Sequence, residues 1–123
     1  MKPIYHSKYY SQPETVEGIR FHSKKEAARY RELMTALRAG AIRNLRLQQE
    51  YLPGGGFTTP EGERVRAIKY LADFVYERKT EPDASGDVHW ICVIEDVKGV
   101  RTREYGIKRK LMQERYGIHI TEV

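Results

Sequence analysis

Val93-Ile94-Glu95-Asp96-Val97-Lys98-Gly99 is an apolar strand that ends on two acids and a lysine. Residues two apart in a strand project to the same face. Asp96 and Lys98 are therefore expected side by side, with Glu95 facing away unless a bulge reverses the register. The strand is predicted from about Val88 to Lys98. Cys92, inside the apolar run Trp90 to Ile94, is expected to be a small buried side chain.

Upstream, Arg66 to Tyr76 reads as the preceding strand. Strict alternation would put Leu71, Asp73 and Val75 on one face and Tyr70, Ala72, Phe74 and Tyr76 on the other. Asp73 then lies in mid-strand among apolar neighbours. Arg78 to Asp87, with Pro82-Asp83-Ala84-Ser85-Gly86, is a polar turn that would make the two strands antiparallel. Pro53-Gly54-Gly55-Gly56 through Pro60-Glu61-Gly62 predicts a flexible connection to an earlier strand, Ile42 to Tyr51.

Ahead of that strand, Ser23-Lys24-Lys25-Glu26 has the spacing of a capping box for a helix running to about Ala39, with Gly40 as its stop. Glu26, Tyr30, Leu33 and Leu37 fall at i, i+4, i+7 and i+11, so the Glu26 carboxylate shares the stripe that meets the sheet. Thr15 to Phe21 predicts a hairpin turning at Glu17-Gly18. Residues 1–14 carry basic and tyrosine side chains without periodicity and predict a loosely held arm. After Gly99, Thr102 is a plausible cap for a helix over Arg103 to Arg115 with Gly117 as stop, and Ile118 to Val123 predicts a last strand. On that helix Tyr105, Met112 and Tyr116 line one side. Lys108 projects between Leu111 and Met112, either snorkelling or reaching a phosphate. The order is helix, three strands, helix, strand, in one domain spanning 1–123.

Carboxylates buried without a partner are costly. Glu26, Asp73 and Asp96 are each predicted to point toward the same helix-to-sheet region, and a hard divalent cation would relieve their repulsion. Magnesium takes oxygen ligands, keeps waters and shares its shell with phosphate, and manganese accepts the same oxygens. Lys98 would hold or deprotonate an attacking water or stabilise developing charge. Each piece also has a structural explanation: Asp73 paired with Arg66 or Arg43, Asp96 with Lys98 as a salt bridge, Glu26 as a cap.

Composition bounds the partners. The 123 residues carry 22 Lys and Arg against 17 Asp and Glu, a net charge of +5, which favours an anionic partner. Lys24, Lys25, Arg101, Arg103, Lys108, Arg109 and Lys110 are the candidate phosphate contacts. A single cysteine excludes an internal disulfide framework. No apolar run is long enough to cross a membrane and the first residues lack the apolar core of a signal peptide, so a soluble cytoplasmic protein is expected.

Asp73, Asp96-Val97-Lys98 and the element order together resemble the PD-(D/E)XK nuclease superfamily. Phe21-His22-Ser23-Lys24-Lys25-Glu26-Ala27-Ala28-Arg29-Tyr30, Tyr70-Leu71-Ala72-Asp73-Phe74 and Glu95-Asp96-Val97-Lys98-Gly99 are similar to a family of small phage and prophage proteins placed in that superfamily. The likeness spans about Gly18 to Val123. It implies an α/β, restriction-endonuclease-like core of order α-β-β-β-α-β, a central mixed sheet flanked by helices, in a protein acting inside a bacterial host. It also implies Asp73, Asp96 and Lys98 as the catalytic core, Glu26 as an added acid from the first helix, and magnesium as cofactor. Ala72 stands where the motif has proline, and aspartate stands at the second acid where glutamate is also common; neither change removes a functional group.

The expected activity is a magnesium- or manganese-dependent DNA endonuclease, acting as a homodimer where both strands are cut. Branched DNA such as a Holliday junction is the preferred substrate, since the chain has no separate domain for reading sequence. A nicking or nonspecific phage nuclease, or a non-catalytic basic DNA-binding protein, are the alternatives.

Overall fold

The computed structural model describes residues 12–98 and 101–123. Of the arm expected over 1–14, residues 1–11 lie outside the described residues. Two short strands, β1 (Glu14–Val16) and β2 (Ile19–Phe21), pair antiparallel about the expected turn, where Glu17 and Gly18 have φ of 50° and 80°. Helix α1 (Lys24–Arg38) follows, with the Ser23 hydroxyl accepting from the Glu26 N–H at 3.1 Å. Glu26 does not complete the capping box: its side chain turns to the sheet.

The central sheet has four strands in the order β3-β6-β7-β8: β3 (Ile42–Gly54), β6 (Ile68–Lys79), β7 (Trp90–Asp96) and β8 (Thr121–Glu122). The middle strand β6 runs antiparallel to both β3 and β7, and β8 lies parallel to β7. A parallel neighbour requires a crossover, which α2 (Arg103–Tyr116) supplies, capped by Thr102 and stopped at Gly117 with φ 65°. The fold is thus mixed α/β, with one helix against each face of a mixed sheet. On the α1 face Phe21, Tyr30 and Phe74 pack ring against ring, with Ala27, Leu33, Ile42 and Tyr76 around them. On the α2 face Tyr105 and Met112 close over Tyr70, Ala72, Val75, Ile94 and Ile120.

The sheet departs from strict alternation where the sequence predicted it. Tyr70, Ala72 and Val75 share the α2 face while Phe74 and Tyr76 share the α1 face, so β6 changes parity at Asp73. The partner strand does the same: Leu45 and Leu47 pack toward α1, whereas Tyr51 packs toward α2. The residue between them, Gln48, has φ 51°, in the left-handed region. One residue of that conformation turns the strand over, which apolar spacing does not reveal. Leu71, expected to share a face with Val75, is 50% exposed while Val75 is buried.

Four further expectations are corrected. The segment after Pro53 holds a small hairpin, β4 (Phe57–Thr58) with β5 (Arg64–Val65), rather than a structureless link. Gly56 makes it possible, because a Cβ there would meet Ala67 N and Val65 O at 3.1 Å. Cys92 is exposed, not buried. Tyr116 is 42% exposed and leaves the α2 stripe to stack edge-on against Tyr51 at 5.7 Å. The expected strand over Ile118 to Val123 is regular only at Thr121–Glu122, although Val123 still bonds Asp96 and Lys98 through its backbone. No helix among the described residues is long and apolar enough to cross a membrane.

Candidate functional site

The strand registers align three polar residues in one row across the sheet. Leu47 pairs with Phe74 and Gln49 with Ala72, which brings Gln48 opposite Asp73. Phe74 pairs with Glu95, so the next step along both strands brings Asp73 beside Asp96. Like charges facing each other across strands repel. Here Asp73 sits where β6 changes parity, and its carboxylate replaces a ladder bond, accepting from the Val97 N–H at 2.7 Å. Glu26, carried in by the first turn of α1, meets the same row from above.

The individual contacts are specific. Gln48 Nε2 donates to Glu26 Oε1 at 3.0 Å and to Asp73 Oδ1 at 3.3 Å. Asp96 accepts from the Tyr70 hydroxyl at 2.7 Å, and its other oxygen lies 3.1 Å from Lys98 Nζ. The expected same-face pairing of Asp96 and Lys98 is therefore present. The Lys98 amine lies 3.5 Å above the centre of the Tyr105 ring, a cation–π contact that holds it over α2. Lys25 Nζ donates to the Lys98 carbonyl and ties the start of α1 to the end of β7.

All four predicted catalytic residues line one cleft of about 740 Å³, with Lys24, Lys25, Lys108, Gln48, Tyr70 and Tyr105. Glu26 and Asp96 are buried. Burial pushes the Glu26 carboxyl above its ordinary range, with Asp96 adding to the rise and His22 opposing it. Burial likewise raises Asp73, to about 7; the Val97 N–H opposes the rise and the charges of Asp96 and Glu26 add to it. Among the described residues Asp73 pairs with no arginine; Arg43 goes to Glu77 instead.

Glu95 is fully buried on the other face. Arg29 grips both its oxygens, at 2.8 and 2.6 Å, and the Tyr76 hydroxyl donates to it as well. It is thereby separated from the cleft, as strand parity predicted. The predicted phosphate contacts divide between two recesses. Lys24, Lys25 and Lys108 border the cleft, with Lys108 paired to Glu104 at 3.1 Å. Arg101, Arg103, Arg109 and Lys110 line an adjoining pocket of about 460 Å³ that shares Thr102 and Tyr105 with the first. There Arg101 Nε donates to both oxygens of Glu122, each at 3.1 Å.

Among the described residues no three His, Cys, Asp or Glu side chains stand together as a ready-made cation cage. The contacts give the reason. Gln48 stands between Glu26 and Asp73, Val97 holds the second oxygen of Asp73, and Tyr70 and Lys98 hold Asp96. The acids share a cleft with their hydrogen bonds already made by protein groups.

One family model matches residues 6–121, under the description "Protein of unknown function (DUF1064)". The chain belongs to this DUF1064 family. No curated protein and no solved structure matches it. The DUF1064 match covers every residue of the row and of both recesses.

Sequence reasoning missed Gln48, Tyr70 and Tyr105, which touch the acids or Lys98 directly. Tyr70 and Tyr105 fall on apolar stripes and look like core. Gln48 had one visible sign: Gln48-Gln49 interrupts the alternation of Leu45 and Leu47.

Proposed function

We propose that this DUF1064 chain is a divalent-metal-dependent DNA endonuclease that hydrolyses phosphodiester bonds. The observation that carries the proposal is the meeting of Glu26, Asp73, Asp96 and Lys98 in one cleft bordered by Lys24, Lys25 and Lys108. The order α1-β3-β6-β7-α2-β8 supports a restriction-endonuclease-like core, with the acids and the lysine at positions the resemblance implies.

The donor set fits a hard cation. Three carboxylates crowd a desolvated cleft, and two of them hold protons above their ordinary range because of burial and mutual charge. An oxygen-loving divalent ion relieves that excess. Asp73 and Asp96 would hold magnesium or manganese, with Glu26 as the third acid. Bound there, the ion would polarise the phosphodiester and acidify a water. The chain's own groups do the rest. Lys98 presents an amine to the attacking water or to the charge that develops on phosphate. The Tyr70 hydroxyl and Val97 N–H fix the orientation of Asp96 and Asp73. Lys24, Lys25 and Lys108 hold the phosphate at the cleft, and Arg101, Arg103, Arg109 and Lys110 hold a flanking one.

One site cuts one bond, so a homodimer is needed for both strands or for resolving a branch. Branched DNA is the favoured substrate, because the basic groups spread over the cleft and the adjoining recess instead of lying along one helix. The satisfied hydrogen bonds of the acids favour a second reading, a basic DNA-binding protein whose acids are structural.

Labelled four-way junction and linear duplex, each incubated with the protein in magnesium or in chelator, separate the two. The nuclease reading expects metal-dependent nicks that vanish in Asp73→Ala while DNA binding persists. Binding without cutting by the unmodified protein, in magnesium and in manganese, would establish the second reading instead.

A further inference from the structure

Among the described residues, Gln48 is the one neutral side chain that bonds two of the acids. Its amide nitrogen donates to Glu26 Oε1 at 3.0 Å and to Asp73 Oδ1 at 3.3 Å, across α1, β3 and β6. Without a donor between them these carboxylates would face each other in a desolvated cleft and turn apart.

The backbone at this position carries the same message. A left-handed conformation is uncommon for a residue other than glycine, asparagine or aspartate. Among the described residues three non-glycine positions adopt it: Glu17 in the β1–β2 turn, Asn44 at the β3 bulge, and Gln48 at φ 51°. Only the last lines the cleft. It is also where β3 changes parity opposite Asp73, so the turnover that aims Asp73 and the amide that grips it belong to one residue. The register runs unbroken through Gln48, so the left-handed backbone alone re-aims its neighbours, as strained positions beside functional sites do.

We infer that Gln48 is a positioning residue for the cation site, holding Glu26 and Asp73 in register from outside the ion's own shell. The inference rests on the nuclease reading above. Carboxylates that bind metal are themselves held by hydrogen-bond donors, and removing such a donor weakens metal binding by about 10- to 100-fold. The amide is suited to this because it is uncharged. It satisfies two acids in the resting protein and adds no positive charge to compete with a cation. A lysine or arginine there would form ion pairs that metal would have to break.

The test follows Mn2+ binding by the electron paramagnetic resonance of the free ion, together with melting temperature in chelator and in Mn2+. The unmodified protein is compared with Gln48→Met, which keeps the chain length and loses the amide, and Gln48→Glu. Gln48→Met is expected to bind Mn2+ about 10-fold or more weakly, with a melting temperature in chelator close to that of the unmodified protein. Gln48→Glu sets a third carboxylate against Glu26 and Asp73. It is expected to melt lower in chelator and to gain more from Mn2+ than the unmodified protein does, and this decides the matter if Gln48→Met does not fold. Equal Mn2+ affinity in Gln48→Met, or an equal Mn2+ gain in Gln48→Glu, overturns the inference and leaves the nuclease reading standing. An unmodified protein that takes up no Mn2+ overturns that reading, and the inference with it.

Discussion

Asp73 sits under opposing demands: burial and two neighbouring acids push its proton on, while the Val97 N–H stabilises its charge. Its carboxyl is raised from 3.8 to about 7, so the folded protein holds a proton that the unfolded chain releases. Native protein then binds more protons between those values, and stability falls as pH rises from about 4 to about 7. Metal-free melting curves across that range should show this decline, and Asp73→Asn should flatten it and melt above the unmodified protein at pH 8. Parallel curves for the two proteins would mean the carboxyl is not raised. Lys98 gives a second prediction at this scale. Among the described residues its amine pairs with Asp96 and lies over the Tyr105 ring, so on the nuclease reading Lys98→Met should leave the fold intact and lower the single-turnover cleavage rate by about 10²- to 10³-fold. Asp96 and Lys98 were legible because β7 keeps strict parity and the two side chains meet on one face. Gln48 was not legible. Its role depends on a left-handed backbone that residue type does not announce and on a register that joins positions far apart in sequence.

The elements of this fold carry the acids on different faces, and that division has an energetic signature. Glu95 and Asp96 are neighbours in β7, yet Glu95 belongs to the α1 side through Arg29 and Tyr76, and Asp96 to the α2 side through Tyr70 and Lys98. Breaking a buried ion pair by removing one partner costs about 3–5 kcal/mol. Because Arg29 is 27% exposed and recovers some hydration, Glu95→Ala should cost about 3 kcal/mol, the low end of that range. Urea unfolding measures it. On the nuclease reading the same variant should keep metal-dependent cleavage, whereas Asp96→Ala should lose it; the opposite pattern would assign the second acid to Glu95. The helices were readable from Ser23, Gly40, Thr102 and Gly117, each of which performs the local task its chemistry suggests; Gly40, at φ 76° just after the Ala39 cap, ends α1 with its N–H on the Leu37 carbonyl. The β4–β5 hairpin was hidden by its glycines and prolines. Gly56 lies close against the backbone of 65–67, a tertiary contact that looks like flexibility in a linear chain. Cys92 is exposed although it stands in an apolar run, and its neighbour Ile91 is exposed with it.

Taken whole, the molecule places its acids and its cations at the same place in the fold. The end of β7 brings in Asp96 and Lys98, the parity change in β6 turns Asp73 toward them, and the first turn of α1 adds Glu26 along with Lys24 and Lys25. Helix α2 follows and adds Lys108 at the cleft and Arg109 and Lys110 in the adjoining recess. A cluster of acids bordered by cations suits a phosphate backbone that approaches through bound metal, and a net charge of +5 assists the approach. The element order was legible because each element is bounded by its own caps and turns. The handing of three acids into one cleft was only partly so, since Glu26 and Asp96 follow from periodicity while Asp73 reaches the cleft through a break in it. The measurement that bears most directly on the central claim is the anomalous difference density of a crystal grown in Mn2+. A single peak in contact with the carboxylates of Asp73 and Asp96, with the Gln48 amide still bonded to Asp73, is the predicted result. A cleft with no Mn2+ at saturating concentration, its acids still held by Gln48, Tyr70 and Lys98, would contradict it.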